Sequence, residues 1–244
     1  MTLRYRADRD LDFLEDAANE DLEILLGYVS DALTEEITSE DAYVVNHPNH
    51  KKYWDLLAAE VQSFGGNTIV NAFRGYGVPY REVLIDVANN LNVNFSEQAS
   101  VELIEMNLLM KICHEALGKM SEAERAQIVK DMEIKGLLNL SPETIVAALQ
   151  VAIKFAGFKA YMLATTVANG VATKLLGTGL ITSGIPFVAN ASLMRVMGVF
   201  AGPIGWVITG LWTLIDIAGP AFRVTVPSVI QIAYMRQKYI NKQV

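Results

Sequence analysis

One cysteine, three histidines and a single acid after residue 145 are the scarcities that constrain this 244-residue chain. Cys113 has no partner for an internal disulfide, and the Cys/His spacing of a zinc site is missing. Folding is therefore expected to be independent of an oxidising compartment. The opening residues MTLRYRADRDLDFL contain no apolar signal core, so the protein is expected to begin in the cytoplasm. Alternation of apolar and polar residues is too brief anywhere for a strand, and no fixed-period repeat is visible. Helices are what remain, and a hydrophobic content of 52% gives them ample material for a core.

The shortage of reactive groups narrows the chemistry. His47 and His50 stand three apart across a proline-containing loop near Asp41, half of a metal site at best and more simply a turn. Cys113 and His114 are adjacent, which on a helix sends their side chains in different directions. Gly65-Gly66-Asn67-Thr68 and Gly75-Tyr76-Gly77 lack the lysine and hydroxyl spacing of a phosphate loop and follow no strand. Asp8, Asp10 and Asp12 imitate the start of a calcium loop, but Phe13 and Asn19 stand where its glycine and glutamate belong; acids at a helix start are the better reading. No catalytic residue, cofactor or metal is assigned.

Charge is divided unevenly along the chain. Residues 146–244 hold eight basic residues and one acid, Asp216, for +7, which leaves −14 on the remainder of a chain whose total is −7. A basic end facing an anionic membrane and an acidic soluble end would give this pattern; so would attraction between the halves. The basic residues are too sparse and too interrupted for nucleic acid.

Local signals place the helices. Leu11, Leu14, Leu22, Leu25, Leu26 and Val29 recur at helical spacing over Asp8 to Ala32. Asp41 to Pro48 reads as loop, with Pro48 disfavouring helix at His47. A helix carrying Tyr53, Trp54, Leu57 and Val61 follows and ends at Gly65-Gly66-Asn67, then a short one over Thr68 to Phe73 and another over Tyr80 to Leu91. Ser96 is expected to cap a helix reaching Leu117, and Ser121-Glu122-Ala123-Glu124 is a capping box whose helix closes at Gly136. Ser141-Pro142-Glu143 starts a long helix toward Ala160. Arg74, Tyr76, Tyr80, Arg81 and Glu82 gather cationic, aromatic and polar groups around one turn, a composition suited to a protein contact.

From Ala160 to Phe222 the only charges are Lys174, Arg195 and Asp216. Leu175 to Met194 and Val196 to Ile215 are each twenty uncharged residues, about the length that crosses a hydrocarbon layer as a helix. Glycines and Pro186 interrupt the first run, so the expected hairpin has Ala160 to Leu180 and Val196 to Ile215 as its arms. Val199, Phe200, Trp206, Val207, Ile208 and Trp212 are the candidate membrane-facing residues. Burial of the same hairpin in the core of a soluble bundle is the alternative.

Three stretches together carry a family likeness: Asp10-Leu11-Asp12-Phe13-Leu14; Trp54 through Phe64-Gly65-Gly66-Asn67 and Arg74-Gly75-Tyr76-Gly77 to Tyr80-Arg81-Glu82; and Gly202-Pro203-Ile204-Gly205 with Ala221-Phe222-Arg223-Val224-Thr225-Val226-Pro227 and Gln231-Ile232-Ala233. The chain resembles, over nearly its whole length, the bacterial YaaW-like family, also labelled a ubiquinol-cytochrome c chaperone family. The resemblance implies a helper role in a bacterial cytoplasmic or inner-membrane setting and supplies no catalytic residues.

The sequence thus predicts an all-α, multi-helix bundle with a glycine-rich apolar C-terminal helical hairpin. Its expected divisions are a helical module over 1–35, an acidic helical domain over 36–140 and an apolar region over 141–244. The expected function is non-enzymatic: membrane association through the hairpin and protein binding through the acidic half, as an assembly helper or a protein that inserts on a trigger. A fully soluble helical chaperone-like module is the other reading. Protein and membrane lipid are the expected partners, and a homo-oligomer is left open.

Overall fold

A computed structural model of the chain describes residues 3–30, 36–64, 77–131, 134, 136–157, 160–162, 164–165, 168 and 220–242. The protein is an all-α multi-helix bundle, with no strand among the described residues. After a 3-10 turn over Asp12–Asp16 come helices α1 (Asn19–Ser30), α2 (Glu36–Ser39) and α3 (Asp41–Asn46). A second 3-10 turn, His50–Tyr53, leads into α4 (Trp54–Phe64), followed by α5 (Tyr80–Asn90), α6 (Val101–Gly118) and α7 (Glu122–Asp131). The last two labelled helices are α8 (Pro142–Ala156) and α9 (Pro220–Lys242).

Several helix ends follow directly from local chemistry. Ser141 accepts the Thr144 N–H at 3.3 Å with Pro142 in the first helical turn, and Gly157 at φ +59° stops α8 after Ala156, short of the Ala160 expected. At α7 the capping box is formed: the Glu124 carboxylate accepts Ser121 N–H at 2.7 Å, and the Ser121 hydroxyl accepts Glu124 N–H at 3.4 Å. Helix α6 begins four residues later than the Ser96 cap predicted, because Ser100 is the residue whose side chain accepts Leu103 N–H. Ser96 instead closes a turn with Ala99. The stretch expected to be loop before Pro48 contains α3, a short helix with no buried residue.

The core joins described residues from both halves of the chain. Leu11, Leu25, Leu57, Leu84, Leu109, Ile145, Tyr161 and Val229 belong to one buried cluster. Helix α9 lies at its centre, packed on α1, α4, α5, α6 and the first 3-10 turn. Every residue from Val224 to Ala233 is buried, so this stretch of the helix is covered on all faces. Pro227 sits inside it, where a missing N–H and a ring clash cost about 3 kcal/mol in an isolated helix. Burial outweighs that cost: each fully buried Val, Ile or Met contributes about 1.5–3 kcal/mol, and Val224, Val226, Val229, Ile230, Ile232 and Met235 are all in the cluster.

Residues 65–76 and 169–219 lie outside the described residues, and with them the helix expected over Thr68 to Phe73 and most of the expected apolar hairpin. Among the described residues no helix is long and apolar enough to cross a membrane.

Candidate functional site

The most concentrated polar chemistry in the described residues is inside the bundle. Glu105, on the inner face of α6, is wholly buried, and Arg236 of α9 is 5% exposed. Arg236 Nε donates to Glu105 Oε1 at 3.1 Å and Oε2 at 3.0 Å, and its Nη2 donates to the Asp10 carbonyl at 2.7 Å. The guanidinium also stands 4.8 Å from the Phe13 ring centroid and 5.5 Å from that of Tyr80, a cation–π arrangement. Tyr80, at the start of α5, donates its hydroxyl to Glu105 Oε1 at 2.7 Å. The Tyr161 hydroxyl is buried in the same part of the core and has no hydrogen-bond partner among the described residues. Burial pushes the Glu105 carboxyl up to about 7, with Arg236 and Tyr80 pulling the other way. Burial first, and then the neighbouring Glu105 charge, hold the Tyr80 phenol well above its ordinary range.

A second set of links runs from α9 to α1. Lys238 Nζ donates to Asp21 Oδ2 at 2.7 Å, and Gln231 Nε2 donates to the Asp21 carbonyl at 3.0 Å. Two basic residues of the C-terminal half are therefore paired with acids of the N-terminal half, which is how attraction between halves takes physical form here.

Further polar contacts tie the N-terminal strap to the bundle. Asp8 Oδ2 accepts the Tyr80 N–H at 2.7 Å, capping α5 from 72 residues away where Pro79 has no suitable side chain. The Gln62 amide exchanges hydrogen bonds with the Arg6 backbone at 3.0 and 2.8 Å. Its carbonyl accepts Val78 N–H at 3.1 Å. Gly77 passes so close to that backbone that a Cβ would collide with Gln62 C and O and lie 2.6 Å from Ser63 N. Only glycine fits there.

The residues singled out as a contact site separate in space. Tyr80 is buried against Glu105. Arg81 is half-buried and donates from Nη2 to the carbonyls of Glu97 and Ala99, fastening the chain before α6. Glu82 is exposed; Arg74 and Tyr76 lie outside the described residues. So do Val199, Phe200, Trp206, Val207, Ile208 and Trp212. His50 is buried with Nδ1 against the Tyr53 hydroxyl, and the exposed His47 ring stacks on Tyr43 at 4.9 Å. His114 meets Glu143 at 3.1 Å on the surface. The Cys113 thiol is buried, 3.6 Å from the Ala164 carbonyl and pushed up to about 12 by desolvation, which keeps it protonated and unreactive. No group of three or more His, Cys, Asp or Glu among the described residues could hold a metal.

Sequence reasoning missed Glu105, Asp21 and Gln62. Each is a polar residue at a position where helical periodicity asks for an apolar one, and that mismatch was the available signal.

Comparison with known proteins adds the family context. The family model described as "Ubiquinol-cytochrome C chaperone" matches residues 49–230. A UPF0174 protein of Helicobacter pylori strain J99 is 39% identical over 243 residues, 97% of this chain and 94% of the relative. A second from the same strain is 35% identical across 84% of this chain and 98% of its own length. The UPF0174 protein YaaW of Escherichia coli K12 is 29% identical over the full length of both chains. No solved structure matches.

Proposed function

The chain belongs to the ubiquinol-cytochrome C chaperone family, and from that membership we propose that it is a non-enzymatic helper that binds protein partners through its acidic half and associates with a membrane through residues 160–222. The observation that carries the membrane part is the pair of twenty-residue uncharged runs, Leu175 to Met194 and Val196 to Ile215. Tyr161, Ala164 and Ala168, at the start of the 160–222 range, and Val224 and Val226 just after it belong to one buried cluster, which leaves residues 169–219 as the part that would meet lipid. Both ends of the excursion are thus fixed to the same body, so a path through lipid returns to the side it left and crosses an even number of times. Residues 169–219 are long enough for two spans of about 20 residues each. The flanking Lys154 and Arg223 are exposed and suit the headgroup region on that side.

For the protein-binding part, Asp12, Glu15, Asp16 and Glu20 are exposed at the N-terminal end and would favour a partner with a basic face. The soluble alternative draws support from residues 224–233 of α9, every one of which the bundle buries. Fractionation of the full chain from bacterial cells separates the two readings. The membrane reading expects the protein in the pellet after carbonate washing and in the supernatant only with detergent; recovery in the supernatant without detergent overturns it.

A further inference from the structure

We propose that His47, His50 and Tyr53 form a binding site for a divalent transition-metal ion of the copper and zinc class, held by two imidazole nitrogens and a phenolate oxygen. The site lies between α3 and α4, and nothing in it depends on residues 169–219.

Short-range geometry brings the three donors together. His50 and Tyr53 stand three apart in a 3-10 turn, where side chains at that spacing eclipse. His50 Nδ1 lies 2.5 Å from the Tyr53 hydroxyl, and His47 Nδ1 lies 3.4 Å from the same oxygen. Both imidazoles therefore turn the same ring nitrogen toward one oxygen. Donors bound to one ion at about 2.0–2.2 Å sit about 3 Å from each other, so a small opening of the His50–Tyr53 contact admits an ion. The sequence shows two histidines, half of a site; the fold adds the third donor in Tyr53.

The frame around these donors is already in place. His47 N–H donates to the Tyr43 carbonyl at 2.9 Å. The Tyr43 ring stacks on that of His47 with centroids 4.9 Å apart and meets Tyr53 edge-on at 5.5 Å. Between the two histidines, the Pro48 carbonyl accepts Asn19 Nδ2 at 3.0 Å and His50 N–H at 3.2 Å, which ties the loop to the first residue of α1. Ligands fixed in this way lose little freedom when an ion arrives.

Charge and access also suit a cation. Glu23 of α1 acts on both His50 and Tyr53 through its negative charge, and that charge offsets part of the ion's. His50 and Tyr53 are buried while His47 is exposed, so an ion reaches the inner pair past His47. Desolvation holds His50 below its ordinary pKa, which keeps its imidazole neutral with a lone pair to offer. Burial pushes the Tyr53 phenol up to about 12, so it keeps its proton until an ion takes the proton's place. That proton leaves to solvent, each imidazole carries its own on Nε2, and the ion is bound by two Nδ1 atoms and Oη. Imidazole donors select copper, zinc, nickel or iron over calcium and magnesium.

Titration of the untagged full-length protein with Cu²⁺, followed by calorimetry and absorption spectroscopy, tests the site. Copper stands at the top of the divalent affinity order, so a site of this class that fails to take it is no site. Wild type should bind a single ion saturably and develop a visible phenolate-to-copper charge-transfer band. His47→Ala, at an exposed position outside the core, should weaken binding by roughly tenfold or more. Tyr53→Phe should weaken it as much and remove the band. Absence of saturable binding, or an affinity unchanged in His47→Ala, overturns the proposal. An affinity unchanged in Tyr53→Phe overturns it as well, since it would mark loose capture by a surface histidine pair. Should Tyr53→Phe fail to fold, the wild-type spectrum decides: a copper-bound protein without the charge-transfer band overturns the assignment.

Discussion

Removing Arg236 probes the core where it is most demanding. Arg236→Ala deletes both contacts to the Glu105 carboxylate, the bond to the Asp10 carbonyl and the stacking on Phe13, all at a position 5% exposed. It leaves a buried carboxyl with only Tyr80 to satisfy it. Breaking a buried pair from one side costs about 3–5 kcal/mol, far more than the ~0–1 kcal/mol of an exposed ion pair. For a chain of this length that corresponds to a fall in melting temperature of roughly 6–20 °C. The paired replacement Arg236→Met with Glu105→Gln removes the uncompensated charge and should recover more than half of the loss. Thermal and urea unfolding followed by circular dichroism measure both variants. An Arg236→Ala protein within about 1 kcal/mol of wild type would refute the reasoning, because only a solvated pair is so cheap to break.

Other perturbations test separate parts of the structure. Gly77→Ala should destabilise by at least about 2 kcal/mol in urea titrations, since its Cβ has no room against the Gln62–Ser63 backbone; a neutral effect would place that backbone elsewhere. Ser141→Ala should cost about 1 kcal/mol through loss of the α8 cap, and Ser141→Asp should restore most of it. His50 is held below its ordinary pKa by burial, so its contribution is present above about 6.5 and is lost as pH falls through its folded value. His50→Gln should flatten that acid-side decline in a plot of stability against pH.

Legibility in the sequence followed the range of the interaction. Ser141 with Pro142 and the Ser121–Glu124 box rest on residues within four positions of one another, and they read correctly. Ser96 and Ser100 offer equivalent caps locally, and the true one is decided by where Val101 and Ile104 enter the core. Helix α9 was harder still. Val224, Thr225, Val226 and Pro227 are poor helix formers, and only the surrounding bundle makes a helix of them. The charge imbalance between halves was visible, but its resolution in Arg236–Glu105 and Lys238–Asp21 spans 131 and 217 residues, a separation that no local pattern encodes. The same distance explains Tyr80. Beside Arg81 and Glu82 it looks like a surface aromatic, and only the arrival of α6 and α9 makes it a core residue.

The central claim, that the uncharged region meets lipid, is tested most directly by Gly205→Arg. A charge near the middle of the Val196 to Ile215 run costs about 2.5–3.5 kcal/mol on insertion scales. Membrane fractionation and thermal unfolding are measured on the variant beside wild type. The account predicts a wild-type protein in the membrane fraction and a variant that leaves it while the bundle keeps its cooperative unfolding transition. A wholly soluble wild type, with a variant that unfolds throughout, would contradict it.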